Sequence, residues 1–338
     1  MMTRLSRRIV VAALAVCAPS AGIQAQTFSQ VDEAQHVETV RELETPGPQL
    51  APDGEVPALY SGEEADTGRQ VILKEAPRQI WNWVDVSLDS EYFHTSNAFL
   101  SKTGVKGTGL LVSTIRAELE VPPIRVPGGQ LLTRVGYQYQ WFDFGIGGPG
   151  GNLSQLDFDV ATIYAEAQYE LPDGWTMLGN VAYNRLLNDG NGYDEFYKEI
   201  VPALSLEKSI QVRDNVRVTA GYSANYRFSD EVPFPSQTRY CNNRTDQALT
   251  MVLDWQVAPK VDILPFYRFQ YSYYPDYLAG QPRNDFLHTI GISADYHFNS
   301  WSYVRLFLTY ELRNSDASSS LDYRKFDAGG GLSAGWKF

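Results

Sequence analysis

The stretch VRVTAGYSANYRF, residues 216–228, alternates from end to end. Val216, Val218, Ala220, Tyr222, Ala224, Tyr226 and Phe228 fall on one parity. Arg217, Thr219, Gly221, Ser223, Asn225 and Arg227 fall on the other. A repeat of two is the mark of a strand with one apolar and one polar face. The pattern recurs along the chain. Leu131–Trp141 sets Val135, Tyr137, Tyr139 and Trp141 against Arg134, Gln138 and Gln140, and Val261–Tyr273 sets Tyr267, Phe269 and Tyr271 against Arg268, Gln270 and Ser272. About twelve such segments follow from Ile80 onward, near 80–93, 109–121, 131–141, 156–170, 175–186, 196–210, 216–228, 247–257, 261–273, 285–298, 301–312 and 322–338.

The connections between them alternate in length. Long ones (95–109, 145–155, 187–195, 229–245, 275–284, 314–320) take turns with short ones (122–129, 172–174, 211–215, 258–260, 299–300). Transmembrane barrels of the bacterial outer membrane have this asymmetry, with short periplasmic turns and longer outer loops. Trp81, Trp83, Trp175, Tyr183, Trp255, Tyr296, Trp301, Tyr310 and Trp336 fall near strand ends, where interfacial girdles belong. A soluble twelve-stranded sandwich also alternates, but it buries its apolar face against a second sheet and has no use for terminal aromatics. The expected fold is all-β: a twelve-stranded antiparallel up-and-down transmembrane barrel over residues 80–338.

The N-terminal third reads differently. Arg4, Arg7 and Arg8 precede the apolar run Ile9–Ala18, with a cleavage position after Ala25, so residues 1–25 are expected to be a secretory signal peptide. No later apolar run is long enough for a helical span, which leaves a closed barrel as the means of crossing a membrane. Residues 26–79 hold eleven Asp or Glu against four Lys or Arg and several prolines, the composition of a mostly disordered, acidic periplasmic extension. Within it, 30–44 suits a short helix and 71–73 a brief strand. The extension can recruit a periplasmic partner or enter the lumen as a plug. The formal charge of −12 argues against nucleic acid as a partner. Cys17 leaves with the signal peptide, and Cys241 alone makes no internal disulfide.

The last strand carries a resemblance. Leu332, Trp336 and the terminal Phe338 share one parity, and with the signal peptide and serial alternation the chain resembles bacterial outer-membrane β-barrels, porin-like barrels in particular. The resemblance implies the outer membrane as location, outer-membrane lipid and the barrel-assembly machinery as partners, and Leu332, Trp336 and Phe338 as the assembly signal. The segment Tyr92–Leu100, followed by a regular barrel, looks most like porin-like barrels, some of them associated with exopolysaccharide systems. A transporter of about 22 strands with a folded plug is excluded by length.

On this reading the polar parity lines the lumen: Glu118, Arg134, Glu166, Glu199, Glu207, Arg217, Arg227, Arg268, Asp295 and Arg305. Hairpin symmetry pairs Glu207 with Arg217, Glu199 with Arg227, Asp295 with Arg305, Glu166 with Asn180 and Arg134 with Glu118. Such a ladder either sets the constriction of a polar channel or fills a narrow bore. Barrels of about eight strands are filled, and those of about sixteen to eighteen hold a wide channel; twelve lies between. A channel for small solutes is the expected function, with a scaffold or polysaccharide-export barrel as the alternative.

One stretch suggests chemistry. His94 and Ser96 share the outward parity near the outer rim, and an imidazole beside a hydroxyl can serve as base and nucleophile. His94-Thr95-Ser96-Asn97 is similar to the His-x-Ser-Asn stretch of outer-membrane phospholipase A, which implies His94 as base and Ser96 as nucleophile of an interfacial lipid hydrolase. The orienting Asn of that family is missing, because Thr108 stands about twelve residues on. A non-enzyme is therefore expected, with no cofactor. His297 and Asp295 share the lumen face, but two ligands do not make a metal site.

Overall fold

A computed structural model of the protein describes residues 30–41, 43, 83–146, 153–188, 194–231, 240–278 and 281–338. The expected signal peptide and the brief strand at 71–73 lie outside the described residues.

Twelve strands follow one another: β1 (Val84–Thr95), β2 (Thr108–Val126), β3 (Gly129–Phe144), β4 (Phe158–Leu171), β5 (Trp175–Asn188), β6 (Glu195–Arg213), β7 (Val216–Glu231), β8 (Arg244–Ala258), β9 (Val261–Leu278), β10 (Gln281–Asn299), β11 (Ser302–Ser315) and β12 (Tyr323–Lys337). Each pairs antiparallel with its neighbours in sequence, and β1 pairs with β12 from Asp85–Lys337 to Thr95–Asp327, so the sheet closes into a barrel. Closure leaves no edge strand with unpaired backbone groups, the condition for spanning a bilayer with strands. The period-2 pattern sets the register. A slip by one residue would turn every apolar side chain into the lumen.

The apolar parity faces out. Leu88, Tyr92, Ile115, Val135, Tyr137, Ile163, Leu204, Tyr222, Leu249, Ile290, Leu306 and Leu332 are all exposed on the outer wall. An exposed apolar surface that runs around a whole molecule needs a non-aqueous solvent. Near the short-turn end Trp301 and Trp336 stack with centroids 5.8 Å apart, and Lys208 lies over Trp175 at 5.3 Å. The short turns are tight. Asp173 and Gly174 take positive φ (61° and 73°) to reverse the chain between β4 and β5.

The expected long connection at 275–284 is corrected. β9 runs on to Leu278 and β10 starts at Gln281. The cause is Arg283, whose guanidinium lies over the rings of Tyr274 (4.4 Å) and Tyr277 (4.8 Å) while its Nε donates to Asp285 at 2.8 Å. This stack continues the hairpin where turn-forming composition suggests a loop.

Of the acidic extension, residues 30–41 form a helix, α1, within the 30–44 stretch expected to be helical, and it lies inside the barrel, the place expected of a plug. Val31, Ala34 and Val37 recur at helical spacing and join one buried cluster with Phe93, Leu110, Val112, Phe142, Phe158 and Phe307, all inward residues of the wall. An isolated helix of about twelve residues is marginal in water, and three valines weaken it further. The lumen supplies what the sequence of α1 lacks, with about 1.5–3 kcal/mol available for each fully buried valine. Asp32 and Glu33 in the first turn and Arg41 in the last suit the helix dipole.

Candidate functional site: the lumen and its helix

The charged face of α1 is tied to the wall from one end to the other. Gln30 Nε2 donates to the Leu156 carbonyl at 3.0 Å, in the connection before β4. Asp32 accepts from Arg313 at 2.5 Å and lies 3.9 Å from Arg244. Glu33 takes Lys325 Nζ on both oxygens at 2.6 and 2.8 Å, and Gln35 accepts from Arg244. His36 lies between two carboxylates, Nδ1 2.6 Å from Glu311 and Nε2 3.0 Å from Asp327. A neutral imidazole has one N–H, so two carboxylate partners call for the imidazolium form. Further down, Glu38 accepts from Arg116 (3.3 Å) and Gln138 (3.0 Å), and Arg41 reaches Asp89 at 2.6 Å.

The order of these partners gives the helix a direction. Leu156, Arg244, Arg313 and Lys325 belong to the long-connection end of the barrel, whereas Arg116, Gln138 and Asp89 sit midway along β2, β3 and β1. Short turns are periplasmic. Residue 30 therefore lies at the outer mouth and residue 41 points toward the periplasm, the side on which β1 begins. Between α1 and the wall of β7–β12 remains a cavity of about 50 Å³, lined among others by Arg227, Arg244, Arg268 and Arg313. It is room for a few waters.

The charged residues expected to line the lumen sit on the inner wall. Arg305 grips Asp295 with two bonds of 2.9 Å directly across the β10–β11 hairpin. Glu199 accepts from Arg227 (2.7 Å), Asn184 (2.9 Å) and Tyr197 (2.9 Å), and Arg227 also reaches Asp246 at 2.8 Å. Arg134 pairs with Glu166 and lies 3.9 Å from Glu118, which accepts from Tyr164. Glu166 stands opposite Asn180, and Arg268 donates to Gln270 at 3.0 Å.

The pairing of Glu207 with Arg217 is corrected. β6 runs through Arg213, the turn shrinks to two residues, and a register shift at Gln211/Arg213 moves the ladder, so Glu207 faces Gly221 and Arg217 stands opposite Gln211. Arg217 turns instead to Asp254 on β8 at 2.5 Å. Among the described residues Glu207 has no cation at ion-pair distance.

His94 is exposed on the outer wall. A side chain on Gly107 would meet its ring at 3.0 Å, so that glycine lets the loop pass close. Ser96 Oγ accepts from the Phe326 amide at 2.8 Å. Among the described residues no hydrogen bond joins His94 to Ser96. His297 pairs with Asp262 at 3.1 Å, and among the described residues no group of three or more His, Cys, Asp or Glu has metal-binding spacing. Cys241 is buried and donates to Glu231, which together with that burial holds the thiol well above its ordinary pKa.

Sequence reasoning placed a helix near 30–44 but not its partners. The signal available was the acidic and apolar alternation at helical spacing in Val31–Arg41, matching an inner wall that carries both Phe93 and Phe307 and the basic residues Arg313 and Lys325.

A closed barrel with an apolar exterior, charged groups turned inward and aromatics at the rim is an integral membrane barrel, and the chain is one of the bacterial outer membrane. No protein-family model and no curated protein matches the sequence. Among solved structures, the chain is similar to an outer-membrane channel from Pseudomonas putida F1 (9% identity, 76% of this chain and 97% of that one, TM-score 0.49). It is also similar to the translocator domain of the autotransporter NalP from Neisseria meningitidis (12% identity, 78% and 90%, TM-score 0.42) and to the β domain of the Bordetella autotransporter BrkA (11% identity, 74% and 99%, TM-score 0.41). At these values the likeness is one of barrel architecture.

Proposed function

We propose that the protein is an outer-membrane channel for small solutes whose lumen is closed, in this conformation, by its own helix α1. The observation that supports the reading is the two-sided fit of α1: apolar residues on an apolar strip of wall, charged residues on charged wall. A structural filler needs no such exchange of ion pairs, since an aliphatic packing is as stable or more so. A closure that has to come out gains from bonds that water can replace. The chain between α1 and β1, residues 44–82, is long enough to let α1 withdraw into the periplasm while tethered, at about 3.3–3.6 Å per extended residue. The reading assigns Ser96 a structural part, its hydroxyl accepting from the Phe326 amide where β1 meets β12.

Swelling of liposomes in small sugars tests the reading. The full chain should be slow, and a variant that loses the acidic ties, Glu33→Gln with Glu38→Gln, should be several-fold faster. Equal and negligible rates for both, with the barrel folded, would favour a scaffold role.

A further inference from the structure

The outer half of the lumen has two unlike sides, and neither suits a simple aqueous pore. On one side Leu110, Val112, Phe142 and Phe158, with Phe93 and Phe307 at its edge, turn inward and are nearly free of solvent, in one cluster with Val31, Ala34 and Val37 of α1 and with Leu153 and Leu156 of the connection before β4. On the other, Arg313, Lys325 and Arg244 reach across to Asp32 and Glu33. Two of these cations keep a wall carboxylate if α1 leaves: Lys325 has Asp327 (3.1 Å), and Arg244 shares Asp246 with Arg227. Arg313 does not. Among the described residues Asp32 is its one carboxylate at ion-pair distance.

With α1 withdrawn, an apolar strip would face water and a guanidinium would lose its counter-ion. A neutral sugar corrects neither deficit, and a cation meets the wrong charge. Resting on the channel reading above, we infer that the open lumen takes an amphipathic anion: an apolar body lying on the Phe93, Leu110, Val112 and Phe142 side, with a carboxylate on Arg313 and Lys325. α1 presents this pattern within one turn, Val31 and Ala34 to one side and Asp32 and Glu33 to the other, and so acts as a built-in stand-in for the solute. The preference is confined to the outermost rungs. Two residues further in on the same strands stand Glu311 and Asp327, which face His36, and at mid-barrel Asp89 faces Arg41.

The test uses the full chain with Val37→Cys in a Cys241→Ser background. Residue 37 is buried against the apolar strip, so labelling by a hydrophilic maleimide reports withdrawal of α1. Sodium decanoate, decanol and decyltrimethylammonium are compared below their micellar concentrations. A ligand that binds the helix-out state at about ten times its dissociation constant raises that population, and the labelling rate, about tenfold. Decanoate should do so, and the neutral and cationic analogues should not. In Arg313→Gln, Lys325→Gln the advantage of decanoate should disappear. Equal acceleration by all three compounds, or a protected thiol indifferent to decanoate, would overturn the ligand class and leave the channel reading standing. A thiol at 37 as reactive as an exposed control without any ligand would overturn the closure by α1, and this inference with it.

Discussion

Lys325 is fully buried and holds two carboxylates, Glu33 of α1 and Asp327 of its own strand. The two sides of this contact are unequal. Removing Glu33 leaves Lys325 with Asp327, whereas removing Lys325 leaves two buried carboxylates and only His36, beside Asp327, to offset them. Breaking a buried ion pair from the side that strands a charge costs about 3–5 kcal/mol. Lys325→Gln should therefore lower the thermal transition of the folded barrel on gels well below that of Glu33→Gln, and adding Glu33→Gln to Lys325→Gln should restore part of the loss. Glu207 gives the opposite expectation. It faces Gly221 and has no cation at ion-pair distance among the described residues, so Glu207→Gln should leave the transition unchanged or raise it, while Arg217→Gln, which strands Asp254, should lower it. Equal losses for the two would restore the hairpin pairing that the register contradicts.

α1 owes its existence to the wall, and that dependence makes it the element most easily lost. A proline at position 37 removes a helical hydrogen bond and costs about 3 kcal/mol or more. Val37→Pro should expose residues 30–41 to protease in a barrel that still resists it. Protection equal to wild type would mean that this segment is held by something other than its helical packing. The terminal strand is the second element with a separable role. Phe338 exchanges two backbone hydrogen bonds with Val84 (2.8 and 3.2 Å) where β12 meets β1, and its side chain is exposed. Deleting it removes the last rung of the seam as well as the expected assembly signal. Secretion should persist while the heat-modifiable, membrane-inserted form falls, and wild-type insertion would remove both roles.

For the whole molecule, the wall was legible because each strand repeats a two-residue rule that lipid and lumen enforce on opposite faces. Val216–Phe228 announces its outward and inward sets without help, while the opposed pair Asp295–Arg305 depends on a register shift at His297/Asn299 beside a two-residue turn. Legibility ended where one residue of turn length matters, as at Gln211/Arg213, and where aromatic stacking on Arg283 outweighs loop-like composition. The site was least legible. Helical spacing in 30–41 gives α1 its faces, but the matching surface is spread over strands hundreds of residues away, Glu33 and Lys325 being 292 apart. Local pattern carries no record of such a contact.

The central claim, that α1 closes a channel, is met most directly by single-channel conductance in planar bilayers. The full chain and a variant without residues 26–43 are compared, each confirmed as folded by heat-modifiability. The full chain should be silent or rarely open, and the variant without α1 should show frequent discrete openings. The same conductance from both would contradict closure by α1.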